Sequence, residues 1–226
     1  MKFAGIIKSS FVDYPKKVVA TIFTGGCNFR CEYCHNGVLI EPKDVDLYLT
    51  EDEIIKFLKK RKNVLDGLCI TGGEPTLWNG ELVNFIRKIK LELGEKFLIK
   101  IDTNGSNPKF IYDNKKLIDF FAMDFKSLNY NKFSKINLDT IKESLKQLES
   151  TKDYEVRITM YPNYIKEEDF NKIAEILKDV KKIAIQQFNN KEVYMDKNME
   201  PYKKEVLYKL KTEIENRGVL VEIRGE

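Results

Sequence analysis

Apolar residues recur along this chain in two alternating patterns. Short β-branched runs are followed by longer stretches whose apolar positions lie three and four apart. Val18–Phe23 reads as a strand, and Thr50-Glu-Asp-Glu53 as a capping box opening a helix with Ile54, Ile55 and Leu58 on its inner face. Leu68–Thr71 is the next strand, ended by Gly72-Gly73, and Leu82, Phe85, Ile86 and Ile89 mark a helix after Asn79. Phe97–Asp102 is a strand stopped by Asn104-Gly105, and Phe120–Phe125 is another. Residues 134–149 predict a helix, and Tyr154–Tyr161 an extended run ending at Pro162. Ile173, Ile176 and Leu177 suggest a helix, Lys182–Phe188 a strand, residues 202–216 a helix and Val219–Ile223 a last strand. The segment 104–118 is the least regular, a long loop with room for a short helix.

Strands alternating with helices imply βαβ units and a parallel sheet. The expected fold is therefore α/β: a partial (β/α)6 TIM-like barrel with parallel strands. No linker, repeat or low-complexity segment interrupts residues 1–226, so a single domain is expected, with a core over about 16–190 and a C-terminal helix and strand over about 199–224. Cys27, Gly72, Asp102 and Asp124 all fall at the C-terminal ends of predicted strands. In (β/α) barrels that end carries the active site.

Composition narrows the chemistry. Hydrophobic residues make up 42% of the 226, enough for a sizeable core. The 39 basic and 35 acidic residues leave a net charge of +4 spread along the chain, which gives no footing for nucleic-acid binding. The N-terminal apolar run is too short for a signal peptide, and no stretch approaches the ~18 uninterrupted apolar residues of a membrane span. A soluble, cytoplasmic protein is expected, where clustered cysteines point to metal or redox chemistry rather than disulfides.

Three of the four cysteines, Cys27, Cys31 and Cys34, have the spacing C-x3-C-x2-C. Thiolates that close suit an iron–sulfur cluster, and a 4Fe–4S cluster held at three corners leaves one iron open to a ligand. Structural zinc is the competing reading, but it usually takes four ligands. His35 directly follows Cys34, where converging on the same ion is awkward, and Cys69 sits in an apolar strand as a small core residue. Thr71-Gly-Gly-Glu-Pro-Thr76 brings paired glycines and Glu74 to a strand end; alone it reads equally as a tight turn. Asp102, Asp124 and Lys126 offer charges to orient a zwitterion, or carboxylates for a small hard cation. With one histidine, nucleophilic Ser–His or Cys–His catalysis loses support, and neither G-x-x-x-x-G-K-[ST] nor G-x-G-x-x-G is present for ATP or NAD.

These motifs together resemble the radical S-adenosylmethionine (SAM) superfamily. Phe11-Val-Asp-Tyr-Pro15, Thr24-Gly-Gly-Cys-Asn-Phe-Arg-Cys-Glu-Tyr-Cys-His-Asn36, Thr71-Gly-Gly-Glu-Pro-Thr-Leu77 and Asp102-Thr-Asn-Gly105 resemble the activating enzymes of glycyl-radical proteins, above all those of anaerobic ribonucleoside-triphosphate reductase. The resemblance implies a 4Fe–4S cluster on Cys27, Cys31 and Cys34, with SAM on the fourth iron. It implies that Tyr33 packs against the adenine, that the His35 backbone bonds its amine, and that Gly72, Gly73 and Glu74 receive the methionyl amino group. Asp102 and Asp124, beside Asn104, would hold a monovalent cation near the SAM carboxylate, with Lys126 on that carboxylate or the ribose, and Asp13 would touch the partner's loop. A flavodoxin- or ferredoxin-type donor would reduce the cluster, and a 5′-deoxyadenosyl radical would take hydrogen from a glycine of the partner. Two alternatives share parts of this pattern: a radical SAM enzyme acting on a small molecule such as a deazapurine precursor, and a non-enzymatic zinc-binding module.

Overall fold

In the computed structural model, which describes residues 1–41, 48–191, 193 and 198–225, one nine-stranded sheet organises the chain. Its strands are β1 (Lys2–Ser10), β2 (Val19–Thr24), β3 (Leu49–Thr50), β4 (Gly67–Gly72), β5 (Leu98–Thr103), β6 (Phe120–Asp124), β7 (Tyr154–Thr159), β8 (Lys182–Gln186) and β9 (Leu220–Arg224). The order across the sheet is β3-β1-β2-β4-β5-β6-β7-β8-β9. From β2 to β9 every pairing is parallel. Each parallel step is a crossover through one helix: α1 (Glu51–Arg61), α2 (Asn79–Leu93), α3 (Pro108–Asn114), α4 (Leu138–Leu148), α5 (Phe170–Ile176) and α6 (Lys204–Glu215). Six β–α units followed by a last strand make the expected (β/α)6 arrangement, open between β3 and β9 rather than closed into a ring.

Strand alternation sorts the two faces. Ala20, Ile22, Leu68, Ile70, Ile99, Ile101, Phe121 and Met123 point toward the helices, fully buried against residues such as Leu82, Phe85 and Ile86 of α2. The opposite, concave face carries Thr21, Cys69, Lys100, Asp102, Asp124, Glu155 and Arg157 at the intervening positions. Its apolar floor is small: Tyr14 lies across Phe120 with ring centroids 5.3 Å apart, beside Val19, Cys69 and Ala122. Apolar burial against the helices therefore drives folding, while the concave face is left free for polar chemistry.

Local signals set the helix ends. Thr50 accepts from the Glu53 N–H at 3.3 Å and Glu53 accepts from the Thr50 N–H at 2.8 Å, so the capping box is formed. The helix expected from residue 134 instead starts at Leu138, because the Asn137 side chain accepts from Thr140 N–H at 3.0 Å and caps it there. β1 lies outside the sequence expectation. It pairs antiparallel with β2, but register shifts between Phe3 and Gly5 and between Ile7 and Ser10 break the two-residue alternation that would announce it. Within the least regular segment, Asn107 caps the seven-residue α3.

Candidate active site

β2 delivers the chain straight into the cysteine loop. The loop is closed by backbone bonds from Gly26 N–H to Leu39 C=O (2.8 Å) and from Cys27 N–H to Ile40 C=O (3.2 Å). Phe29 anchors it underneath, its ring 5.5 Å from Phe133 and 5.9 Å from Tyr130, while Arg30 N–H donates to Phe133 C=O at 2.8 Å. All three thiols line one cavity of about 260 Å³ at the C-terminal ends of the strands. Cys31 is buried and Cys27 and Cys34 half-buried. Burial pushes the Cys31 thiol up to about 12 and raises Cys27 and Cys34, while the nearby Lys126 ammonium pulls all three down. Cys69 stays out of this cavity, on the concave face 3.7 Å from Lys100 Nζ.

The paired glycines dock against that loop. Gly73 N–H donates to Thr24 C=O at 2.9 Å and Glu74 N–H to Gly26 C=O at 2.8 Å. Gly72 has φ +121°, and a Cβ there would strike the Thr24 backbone; one on Gly73 would strike the Gly26 carbonyl. The glycines are thus required first by this close backbone approach. Glu74 is turned inward, 1% exposed. Its Oε1 accepts from Thr76 Oγ1 (2.6 Å), Thr103 Oγ1 (2.8 Å) and Thr76 N–H (3.1 Å), and its Oε2 from Asn104 N–H (2.6 Å). Burial raises its pKa against the pull of these donors. The carboxylate therefore ties the end of β4 to the end of β5. Asn104 continues the tie, its Nδ2 donating to Asn28 Oδ1 at 2.9 Å and lying 4.0 Å from Cys27 Sγ.

On the concave wall Arg157 reaches from β7 across β6. Its Nε donates to Asp124 Oδ1 at 2.7 Å and its Nη1 to Asp102 Oδ2 at 3.1 Å. Lys100 Nζ takes Asp102 Oδ1, and Lys126 Nζ takes Asp124 Oδ2 at 3.0 Å. Burial alone would raise Asp124, but Arg157 and Lys126 overcome it and hold the carboxyl at about 2. Lys126 also lies 5.5 Å from the centroid of the Tyr33 ring. Tyr33 is 6% exposed and packs on Tyr161, Tyr164 and Phe188.

Cys27, Cys31, Cys34, Tyr33, His35, Gly72, Gly73, Glu74, Asp102, Asn104, Asp124 and Lys126 thus line one cavity. The exposed His35 ring reaches Asn189 C=O at 3.4 Å. Asp13 is not part of the lining; its Oδ2 accepts from Thr21 Oγ1 at 2.6 Å. Arg157, Thr159 and Gln186 line the cavity without having been singled out in the sequence. For Arg157 and Thr159 the signal was available: Glu155, Arg157 and Thr159 alternate with Tyr154, Val156 and Ile158, which marks a polar inner face.

The profile of the radical SAM superfamily matches residues 21–180, from β2 through α5. The chain belongs to the radical SAM superfamily. Among curated relatives, a Methanocaldococcus jannaschii protein with the provisional name glycyl-radical enzyme activating enzyme is 40% identical over 206 residues, covering 84% of this chain and 81% of that protein. The 7-carboxy-7-deazaguanine synthase of Clostridium acetobutylicum is 40% identical over 45% of this chain and 43% of its own. Among solved structures, a radical SAM methyltransferase from Sphaerobacter thermophilus superposes with TM-score 0.69 at 16% identity, over 96% of this chain and 68% of that one. A domain of the pyruvate-formate lyase-activating enzyme from Bacteroides vulgatus gives TM-score 0.57 at 19% identity, over 70% of this chain and 99% of that one. These two support the fold.

Radical SAM enzymes use a 4Fe–4S cluster and SAM. The donor set here fits that pair: three sulfurs and no fourth cysteine share one cavity wall, with fixed charges opposite. Among the described residues no three His, Cys, Asp or Glu side chains are gathered around one point. The expected monovalent cation fits less well, since each oxygen of Asp102 and Asp124 already faces a lysine or Arg157.

Glu74→Gln tests the tie in the radical SAM site. An amide directs an N–H at the Asn104 N–H that Oε2 now accepts, leaving a buried donor unpaired. The expected loss is ~1–3 kcal/mol of stability, read as a lowered urea midpoint in the apo protein. An unchanged midpoint would show that the carboxylate is not needed for the strand-end tie.

Proposed function

We propose that this radical SAM enzyme generates a glycyl radical on a partner protein, and that the partner is an anaerobic ribonucleoside-triphosphate reductase. The observation that carries the first part is the 40% identity, over 84% of the chain, to a relative named as a glycyl-radical enzyme activating enzyme. The deazaguanine synthase likeness spans only 45% of the chain. The choice of reductase rests on the resemblance of the four motifs that run from Phe11 to Gly105.

In this reading Cys27, Cys31 and Cys34 hold the cluster. When bound, the cluster and SAM supply a 5′-deoxyadenosyl radical by one-electron reductive cleavage. The chain's own residues orient and shield. Lys126 would meet an anionic group of the cofactor, and Tyr33 would offer an aromatic surface to its base. The Gly72–Gly73 backbone would receive the methionyl amino group. Glu74, with both oxygens occupied, acts by holding Asn104 and the cysteine loop in place rather than by touching the ligand. The buried aromatic wall of Tyr33, Tyr161 and Phe188 excludes water from a radical reaction that needs no acid or base.

Anaerobic incubation of the reconstituted enzyme with SAM, a flavodoxin- or ferredoxin-type donor and the reductase is expected to give a glycyl doublet in the electron paramagnetic resonance spectrum. SAM cleavage without that doublet would reject the reductase as partner. Conversion of a small deazapurine precursor instead would place the enzyme with the synthases.

A further inference from the structure

The carboxylate pair expected to hold a monovalent cation is already bridged from within the chain. Asp102 and Asp124 present four oxygens on the concave wall. Lys100 takes Asp102 Oδ1, and Arg157 Nη1 takes Oδ2 at 3.1 Å. Arg157 Nε takes Asp124 Oδ1 at 2.7 Å, and Lys126 Nζ takes Oδ2 at 3.0 Å. Three cationic side chains thus serve two carboxylates. The next acids on this face are engaged elsewhere: Glu155 receives Arg224 at 3.0 and 2.8 Å, and Asp13 accepts from Thr21. A sodium or potassium ion between Asp102 and Asp124 would meet the guanidinium where it needs oxygen ligands.

The strand register explains how one arginine spans both acids. Asp124 is the direct β6 neighbour of Arg157 on β7, and Ala122 is the β6 neighbour of Asp102 on β5. A methyl at Ala122 leaves the planar fork room to cross β6 and reach β5. Arginine keeps its charge at every working pH and can address two acceptors at fixed geometry, which a lysine cannot do.

We propose that Arg157 replaces the monovalent cation of this site: it is a positioning residue that locks Asp102 and Asp124, and through Asp124 sets Lys126 for the cofactor's carboxylate, so that SAM binding needs no sodium or potassium. The inference rests on the assignment of SAM as cofactor, and the experiment separates the two.

Equilibrium dialysis of radiolabelled SAM against the reconstituted enzyme, at one ionic strength in sodium, potassium or tetramethylammonium chloride, is the first measurement. The wild-type dissociation constant is expected to agree within about twofold across the three salts. Arg157→Ala is expected to bind SAM at least ~10-fold more weakly in tetramethylammonium and to recover part of that in potassium, sodium or millimolar guanidinium. A second readout needs no cluster: the melting temperature of apo Arg157→Ala should rise with potassium or sodium concentration and saturate, while that of the wild type stays flat. Wild-type affinity that falls ~10-fold or more in tetramethylammonium would overturn the proposal, even if Arg157→Ala fails to fold. Recovery of the variant by no cation would also overturn it. Absence of SAM binding in every salt would defeat the cofactor assignment, and this inference with it.

Discussion

Replacing any one of Cys27, Cys31 or Cys34 with alanine is expected to abolish reductive SAM cleavage. Iron in anaerobically reconstituted protein should fall from about four per chain to below one, because two thiolates do not retain a cubane that three hold. Production of 5′-deoxyadenosine should drop by more than ~1,000-fold, equivalent to about 4 kcal/mol. Burial raises all three thiols above their ordinary value, while Phe29 N–H donates to Cys27 Sγ at 3.4 Å and backbone hydrogen bonds hold the loop. Metal is needed to draw off their protons. Cys69→Ala is the contrast. Its sulfur is fully buried on the concave face and outside the cavity, so its loss should cost ~1 kcal/mol of packing and leave iron content unchanged. Should Cys69→Ala lose iron as fully as the others, or Cys27→Ala keep a complete cluster, the three-cysteine assignment fails.

Much of this site was legible because its parts sit where strand patterns end. The runs ending near Phe23, Thr71, Asp102 and Phe125 are mostly apolar segments, and each is followed by polar or glycine residues. Strand ends of a parallel sheet lie on one rim, so local readings added up to a shared site. What stayed hidden needed knowledge of partners across the sheet. Glu74 reads as a charged loop residue beside two glycines. Only the approach of Thr103 and Asn104 from β5 shows a buried carboxylate acting as a strand-end tie. Asp102 and Asp124 read as free acids, and the residue that occupies them lies on β7, 55 positions beyond Asp102. β1 escaped for a different reason: its bulges take the alternation out of phase, and its apolar content is thin apart from Phe3, Ile6 and Ile7.

The same contrast separates two kinds of constraint on the radical SAM cavity. The cysteine spacing is chemical, and no scaffold could substitute for it. The surrounding polar residues are mostly occupied with one another: Asn28 with Asn104 and Ser106, Glu74 with Thr76 and Thr103, Arg157 with Asp102 and Asp124. A cavity wall satisfied in this way is preorganised, so little reorganisation is needed when a charged cofactor arrives. The helix-facing side of the sheet supplies the rigidity behind it, with Ile70, Ile101, Met123 and Ile158 fully buried one position away from the lining residues.

Gly73→Ala should show how far fold and site depend on one backbone contact. The added methyl would collide with the carbonyl, carbon and nitrogen of Gly26, backbone atoms held by the Gly26–Leu39 and Glu74–Gly26 hydrogen bonds. A flexible side chain would yield to it, but this backbone yields only if the cysteine loop lifts off β4. The expected cost is ~3 kcal/mol or more, a fall in melting temperature of roughly 6–12 °C for a chain this size. Lifting the loop also moves Cys27 away from Asn104, so the reconstituted variant should hold less iron even at temperatures where it remains folded. Gly80→Ala provides the opposite sign in the same protein. Gly80 lies in the first turn of α2 with open space where a Cβ would stand, so alanine should stabilise by ~0.5–1 kcal/mol and leave iron content untouched. Equal melting temperatures for the two variants would mean that the Gly73–Gly26 contact does not hold the cysteine loop, and the glycine pair would then have to be explained by the ligand alone.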